Sequence, residues 1–470
     1  MMNKTIAMSS AVVALVGASW VGTIWYSSQQ FEPRYQHVIK QFNQNTLSPV
    51  SFKLTSFQRG FFQSRANWEL SLNTDPCQPK KILVLTGYDV IQHGFVPSLG
   101  WASIHTHVIW PDAIDSQLKQ VFAQREALSI YSKVSFLGNV TTSIKSPAAN
   151  WQGRLLQVNW QGLHGKIKFL DNNQRVKFDI RAPKITVNQQ DSSSQLLTVS
   201  DLRYSGNQQT KPSLLPLGKT MFSIDQLQTG RTESQLSLND IQFERKNQLN
   251  QQQIRANLNY RIGKIKLNKQ TVGDFEADIL LEHISEQAAQ QTYQAFSQLQ
   301  QQCRPSRQEM MQAFSPLLNQ GFRLRLEDAT LNAFGGIAQA TALITMPATS
   351  SAAQQTPEAL LQQLSASGRL RVSEQLLTGA IETNSALKGQ PASQAETAQF
   401  VQMLTQGLLE QGYLVKTSTG YQAALAIQQG QTSINGKAIA DLPLRHSARA
   451  NADNVETPAR NTLEESSTTN

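Results

Sequence analysis

The chain has 470 residues, of which 40% are hydrophobic and 16% are charged, and its formal net charge is +9. This composition indicates a globular body with a large core and room for two or three domains. The basic residues are scattered singly instead of forming a block, which argues against a nucleic-acid partner and favours a mild attraction to anionic lipid head groups.

The first element is an uncharged stretch from Thr5 to Tyr26 that follows Lys4 and contains Trp20 and Trp25 near its end. About 20 apolar residues span a hydrocarbon core as a helix, and tryptophan suits the membrane interface. We therefore expect residues 1–28 to anchor the protein in a membrane. The N-terminus would be cytoplasmic and the body would be exported. A cleaved signal peptide remains the alternative.

The region 29–284 is predicted to be mainly β. A short helical pattern covers residues 31–44, and period-two alternation of apolar and polar residues follows in many short runs. Runs 176–180 and 184–187 are predicted as separate strands because Pro183 lies between them. Antiparallel strands joined by short turns are the expected arrangement.

Helical spacing appears at residues 285–302 and 306–319, where Ser306 and Glu309 form a possible capping box. Strand patterns complete a region 285–346. An α+β region, 347–444, contains a further helix at 393–411, and the tail 445–470 is expected to be disordered. The predicted fold class is α+β, mainly antiparallel β, with an N-terminal transmembrane helix and a long curved sheet carrying a few packed helices.

Cysteine occurs only at Cys77 and Cys303. An oxidising compartment would allow the two to pair, but their separation in sequence does not reveal their distance in space. A disulfide and two separate thiols both remain open.

A short motif near the start of the body resembles the aromatic-x-Arg-Gly-x-Phe-x-Ser signature of the YdgA family. The motif and a later His-Gly pair consist of Phe57, Arg59, Gly60, Phe62, Ser64, His93 and Gly94. Together with the N-terminal stretch, they resemble that family over nearly the whole chain as far as residue 444. The resemblance implies an inner-membrane protein with a large periplasmic domain, and it implies no established chemistry.

Arg59 has two interpretations. An arginine between aromatic residues can bind a carboxylate or phosphate of a ligand with two parallel hydrogen bonds. Alternatively, Gly60 lets the strand kink and Arg59 pairs with a nearby acid to fix that kink. We favour the structural interpretation.

His105 and His107 should lie on one face of a strand, and His93 is a candidate third ligand for a metal. No acidic residue lies between Asp89 and Asp112 to orient these imidazoles locally. The sequence therefore predicts no bound metal and no other cofactor.

No nucleophile elbow, P-loop or His-Glu-x-x-His motif occurs, so the sequence does not predict an enzyme. The expected function is that of a structural or interaction module binding envelope proteins or a second copy. The first alternative is a lipid-handling protein with an apolar β-groove, and the second is an envelope enzyme.

Overall fold

The structure is a computed structural model. It describes residues 28–40, 42–43, 50–73, 77, 82–96, 100–171, 173–190, 195–209, 213–230, 235–268, 270–299, 302–349, 359, 362–387, 390 and 393–439. Of the predicted anchor, 1–28, all but residue 28 lies outside these residues, and so does the predicted disordered tail. Among the helices described, none has the length and apolar composition that crossing a membrane requires.

Over the residues described, the body is a single sheet of 22 strands, and all of the strand pairs are antiparallel. The strands are β1 (Val50–Gln58), β2 (Gln63–Asn73), β3 (Ile82–Val96), β4 (Gly100–Ile109), β5 (Ser129–Val134), β6 (Val140–Ser146), β7 (Ala149–Gln152), β8 (Leu156–Trp160), β9 (Leu163–Leu170), β10 (Arg175–Gln189), β11 (Gln195–Gln209), β12 (Gly218–Thr229), β13 (Leu236–Asn250), β14 (Gln253–Leu267), β15 (Gln270–Ser285), β16 (Phe322–Ala333), β17 (Gly336–Met346), β18 (Ser365–Ser373), β19 (Val415–Lys416), β20 (Gly420–Gln428), β21 (Gln431–Ile434) and β22 (Lys437–Ala438).

Neighbours in the sheet are mostly neighbours in sequence. β1 to β6 pair in order, β6 pairs with β9, and β9 to β18 again follow one another. β18 then pairs with β20, which continues to β21 and β22. The short hairpin of β7 and β8 joins the second half of β10. This order confirms the predicted mainly antiparallel sheet.

The predicted break at Pro183 is wrong, because β10 runs through it. Up to Arg181 the strand pairs with β9, and from Ile185 it pairs with β8. On its other side, Asp201 lies opposite Pro183 with a φ of 47°. Proline lacks an N–H group, so a strand tolerates it where the ladder is already interrupted.

Six helices of ten or more residues accompany the sheet in the part of the chain that the structure describes. They are α1 (28–40), α2 (Asp112–Val121), α3 (Glu286–Leu299), α4 (Arg307–Gln320), α5 (Glu374–Leu387) and α6 (Gln394–Glu410). α4 and α6 begin with complete capping boxes, Ser306 with Glu309 and Ser393 with Glu396. These reciprocal bonds satisfy N–H groups that the first turn of a helix leaves unpaired. α5 was not predicted.

Three helical regions pack on the sheet. α1 covers the first strands, where Phe31 and Tyr35 contact a buried cluster of Ala66, Ile91 and Ala102. α3 and α4 cover an end of β14 to β16. α5 contacts β16, β17, β18 and β20.

A disulfide joins Cys77, in the loop after β2, to Cys303, in the connection between α3 and α4, with Cα atoms 4.8 Å apart. In a flat sheet the ten steps from β3 to β15 would span roughly 48 Å. The open sheet is curved, and the disulfide links two segments that border strands lying ten steps apart in it.

Candidate functional site

One face of the sheet carries a continuous row of apolar side chains across ten paired strands, from β10 to β18 and on to β20. Directly opposed residues share a face, so the register defines the row. Its members are Ile180, Tyr204, Phe222, Phe243, Tyr260, Ala277, Ala329, Ala340, Leu370 and Ala423.

The opposite face is polar along the same line. Each member of the apolar row has a sequence neighbour that points the other way, because successive residues of a strand alternate between faces. These neighbours are Arg181, Arg203, Ser223, Gln242, Arg261, Glu276, Thr330, Gln339, Arg371 and Gln422. Across these ten strands, one face of the sheet is therefore apolar and the opposite face is polar.

A second apolar row runs beside the first from β12 to β20. It consists of Ile224, Ile241, Ile262, Phe275, Leu331, Ala338, Val372 and Tyr421. We call the two rows together the apolar face.

The centre of the apolar face is open to solvent. Tyr204, Tyr260 and Leu370 are 42%, 40% and 45% exposed, so none of the described helices covers them. The ring centroids of Phe243 and Tyr260 lie 4.7 Å apart, which gives the face an aromatic centre. Contiguous exposed apolar patches are candidates for binding surfaces, so this face is a candidate functional site.

A cavity of about 540 Å³ lies under α4, on the side of the sheet to which the apolar face belongs. Ile284 and Phe322, at the ends of β15 and β16, form part of its floor. The lining is apolar throughout: Leu214, Leu215, Leu281, Ile284, Met311, Phe314, Leu317, Leu318, Phe322, Met346 and Leu364. A ligand held there gains burial of apolar surface and no side-chain hydrogen bond.

A second cavity, of about 560 Å³, lies between α1 and β4 to β6. Its walls combine apolar residues such as Trp101 and Ile104 with the basic Arg34 and with His37. The Arg34 guanidinium lies 5.4 Å from the centroid of the Trp101 ring. This cavity can hold a group with both apolar and anionic parts.

The motif around Arg59 positions α1. Arg59 donates from Nη1 to Gln29 Oε1 at 2.6 Å and from Nη2 to Glu32 Oε2 at 2.7 Å, and both acceptors belong to α1. A Cβ at Gly60 would lie 2.0 Å from the Gln63 carbonyl oxygen, so the corner has no space for a side chain there. Phe57 packs into the cluster under α1, whereas Phe62 is 59% exposed.

Ser64 and His93 meet behind this corner. Ser64 Oγ lies 2.7 Å from His93 Nε2 and accepts a hydrogen bond from the Gly60 N–H. The backbone N–H of His93 donates to the Phe62 carbonyl, and Gly94 continues β3 after His93. Burial lowers the pKa of His93 to about 4, so the imidazole is neutral at pH 7.

A second polar group is buried under α1. Asp89 accepts hydrogen bonds from the Tyr35 hydroxyl at 2.6 Å and from Trp68 Nε1 at 3.2 Å. Burial, reinforced by the Asp89 charge, raises the pKa of the Tyr35 hydroxyl. Because the Asp89 carboxylate accepts its hydrogen bonds from Tyr35 and Trp68, it does not orient the His93 imidazole.

The Ser64 and His93 pair therefore lacks the geometry of an activated nucleophile. Such a serine needs access to substrate and a base that is oriented by a third group. Ser64 is 1% exposed, and His93 Nδ1 has no hydrogen-bond partner in the described structure. Both residues serve to hold the corner and α1 together.

The structure separates the three histidines that were considered as ligands. His93 lies on the same face as Ala102 and Ile91, under α1, whereas His105 and His107 lie on the polar face of β4. Glu126, which the sequence analysis did not consider, lies beside His105 and His107 instead. No local spacing signal connects Glu126 to β4.

A model of a protein family described as "Bacterial protein of unknown function (DUF945)" matches residues 2–440. No curated protein and no solved structure matches the chain. The match includes every strand of the sheet, together with the cavities and the corner at Arg59.

Proposed function

The chain belongs to the DUF945 family of bacterial proteins of unknown function, and we propose that it binds lipid acyl chains on the apolar face. The observation that carries the proposal is the apolar row across ten strands, in which Tyr204, Tyr260 and Leu370 are exposed, with a polar row on the opposite side. No chemical reaction is part of the proposal.

The dimensions of the face suit a hydrocarbon chain better than a compact ligand. Ten strands at about 4.8 Å spacing give a row of roughly 40 Å. One leaflet of a bilayer core is only about 15 Å thick, so the row can accommodate a complete acyl chain. Small-molecule pockets usually include a few polar groups that fix orientation, whereas the side chains that line the cavity under α4 are apolar.

We propose further that the body is exported and anchored in the inner membrane, as in the YdgA family that the sequence resembles. The uncharged run 5–26 supports the anchor, and the disulfide between Cys77 and Cys303 supports an oxidising compartment. The described part of α1 begins at residue 28, shortly after that run, and borders the cavity with Arg34. A lipid leaving the bilayer would meet this cavity first, with its anionic head group beside Arg34.

The test compares two adjacent substitutions on β13 that point to opposite faces. Full-length protein in detergent is incubated with a photoactivatable fatty acid, and the crosslinked fraction is measured. Phe243→Glu places a charge on the apolar face and should reduce crosslinking severalfold, because a charged side chain opposes burial against hydrocarbon. Gln242→Glu, on the polar face, should leave it unchanged.

Circular dichroism and thermal melts of both variants exclude unfolding as the cause. Equal crosslinking of the wild-type protein and a folded Phe243→Glu variant contradicts the proposal. Crosslinked residues mapped to the apolar face of β11 through β16 support it, and crosslinked residues confined to the polar face count against it.

A second candidate function, as an interaction module, is favoured by α6. This helix buries Thr397, Val401 and Thr405 and leaves a stripe of larger apolar side chains exposed. The stripe consists of Phe400, Met403, Leu404 and Leu408. Leu404→Glu should remove protein crosslinks formed in cells, whereas Gln402→Glu should retain them. Identical crosslinks in the two variants would exclude α6 as the contact surface.

A further inference from the structure

His105 and His107 form a pair of imidazoles on the polar face of the sheet. They are two residues apart on β4, between β3 and β5, and their ring centroids are 4.3 Å apart. Tyr88 on β3 stacks against His107 at 4.8 Å, and Tyr131 on β5 meets His105 edge-on at 6.5 Å. The neighbouring strands thus limit the rotation of both rings.

The segment after α2 brings a carboxylate to this pair. The chain turns at Ala123 and Gln124, whose φ angles are 51° and 63°. Arg125 then fixes the segment by donating to the carbonyls of Phe122 and Ala148. Glu126 follows at once and leads into β5.

The Glu126 carboxylate lies 3.4 Å from His107 Nδ1 and 3.9 Å from His105 Nε2. All three candidate ligand atoms lie within 4.8 Å of one another. Ligands of a tetrahedral Zn²⁺ with bonds of about 2.0–2.1 Å are separated by about 3.3 Å. Small side-chain rotations therefore suffice to bring these atoms to coordinating distance of one ion.

We propose that His105, His107 and Glu126 bind a divalent transition-metal cation of the Zn²⁺ class. Two imidazoles and one carboxylate match the ligand preference of Zn²⁺, and imidazole also suits Cu²⁺ and Ni²⁺. The three side chains are between 30% and 42% exposed, so an ion can enter from solvent and keep a coordination position for water. The chain itself supplies three ligands.

The sequence pointed to His93 as the third ligand and offered no acid close to His105 and His107. In the structure the third candidate ligand is Glu126, which lies beyond α2 in the chain. The site lies on the face opposite the apolar face, so it does not depend on the proposed lipid binding. Failure of either proposal leaves the other standing.

The test is a titration of metal-free, full-length protein, purified in detergent without an affinity tag, with ZnCl₂. We expect a single Zn²⁺ per chain by elemental analysis after dialysis. Loss of partners that merely orient metal ligands weakens affinity by about 10–100-fold, so His107→Asn and Glu126→Gln should each weaken binding at least about tenfold. Co²⁺ substitution should give the visible absorption of a low-coordinate site in the wild-type protein only.

His164→Ala provides the matched control, because His164 is an exposed histidine on the polar face of β9. It should bind Zn²⁺ like the wild-type protein. Circular dichroism of the metal-free variants shows that each is folded. A wild-type Zn²⁺ content below about one tenth of an ion per chain would overturn the proposal. If folded Glu126→Gln bound Zn²⁺ with wild-type affinity, the proposal would also be overturned, because Glu126 would then be only an ion-pair partner of the two histidines and not a metal ligand.

Discussion

Arg59 holds α1 against the first hairpin through its bonds to Gln29 and Glu32. Arg59→Ala should lower the free energy of unfolding by only about 0.5–1 kcal/mol, since the side chains of Arg59 and Glu32 are 41% and 27% exposed. It should also make α1 more sensitive to protease. Limited proteolysis and thermal melts measure both effects.

Arg369→Ala, at an exposed arginine on β18, is the control and should leave the proteolysis pattern unchanged. Unchanged stability of Arg59→Ala together with lost lipid crosslinking would instead identify Arg59 as a ligand contact.

His93 makes stability depend on pH. Its pKa is lowered by burial from 6.5 to about 4 in the folded protein. As the pH falls from 6.5 towards 4, the unfolded chain takes up a proton that folded His93 does not. The His93 contribution is therefore complete above pH 6.5, is lost across this window, and changes no further below pH 4.

The test compares the melting temperatures of wild type and His93→Gln between pH 7.5 and pH 4. The wild type should lose more stability over this range, because glutamine does not titrate. His164→Ala, at an exposed histidine, should follow the wild-type curve. Parallel curves for the wild type and His93→Gln would show that His93 is not the titrating group.

At the scale of elements, the disulfide ties the helical pair α3 and α4 to the loop after β2. The double substitution Cys77→Ser with Cys303→Ser should lower the free energy of unfolding by about 2–5 kcal/mol, because 226 residues separate the two cysteines. Denaturant titration without reductant measures the loss. Addition of reductant to the wild type should reproduce it, and an unchanged midpoint in both cases would contradict the prediction.

The helices differ in how well the sequence predicts them. α4 and α6 were predicted within a residue or two. For α4 the signal was a serine cap with a glutamate three residues later, and for α6 it was helical spacing of apolar residues; both are local signals. α5 follows β18 directly. A Cβ added to Gly336 would lie 2.2 Å from the backbone nitrogen of Leu376, so α5 packs closely against this glycine. Ser373, the last residue of β18, caps this helix by accepting a hydrogen bond from the Leu376 N–H, which is a local signal that the sequence-based prediction did not use.

At the scale of the whole molecule, the prediction concerns the N-terminal run. A reporter that is active only outside the cytoplasm, fused after Asn470, should be active, and the protein should remain with membranes at high salt. The physical reason is that about 22 uncharged residues suffice to span the bilayer core. Export followed by release into the soluble fraction would show a cleaved signal instead.

The sequence by itself predicted an antiparallel sheet and the helices α4 and α6, and it favoured a structural role for Arg59. Alternation, caps and turns are local signals that a few adjacent residues carry. The tertiary structure decided which strands pair, and thereby placed Tyr204, Phe222 and Phe243 in one row. It also decided that Cys77 meets Cys303 and that Glu126 meets His107. Those contacts follow from strand register and sheet curvature, which depend on the whole chain and leave no trace in residue spacing.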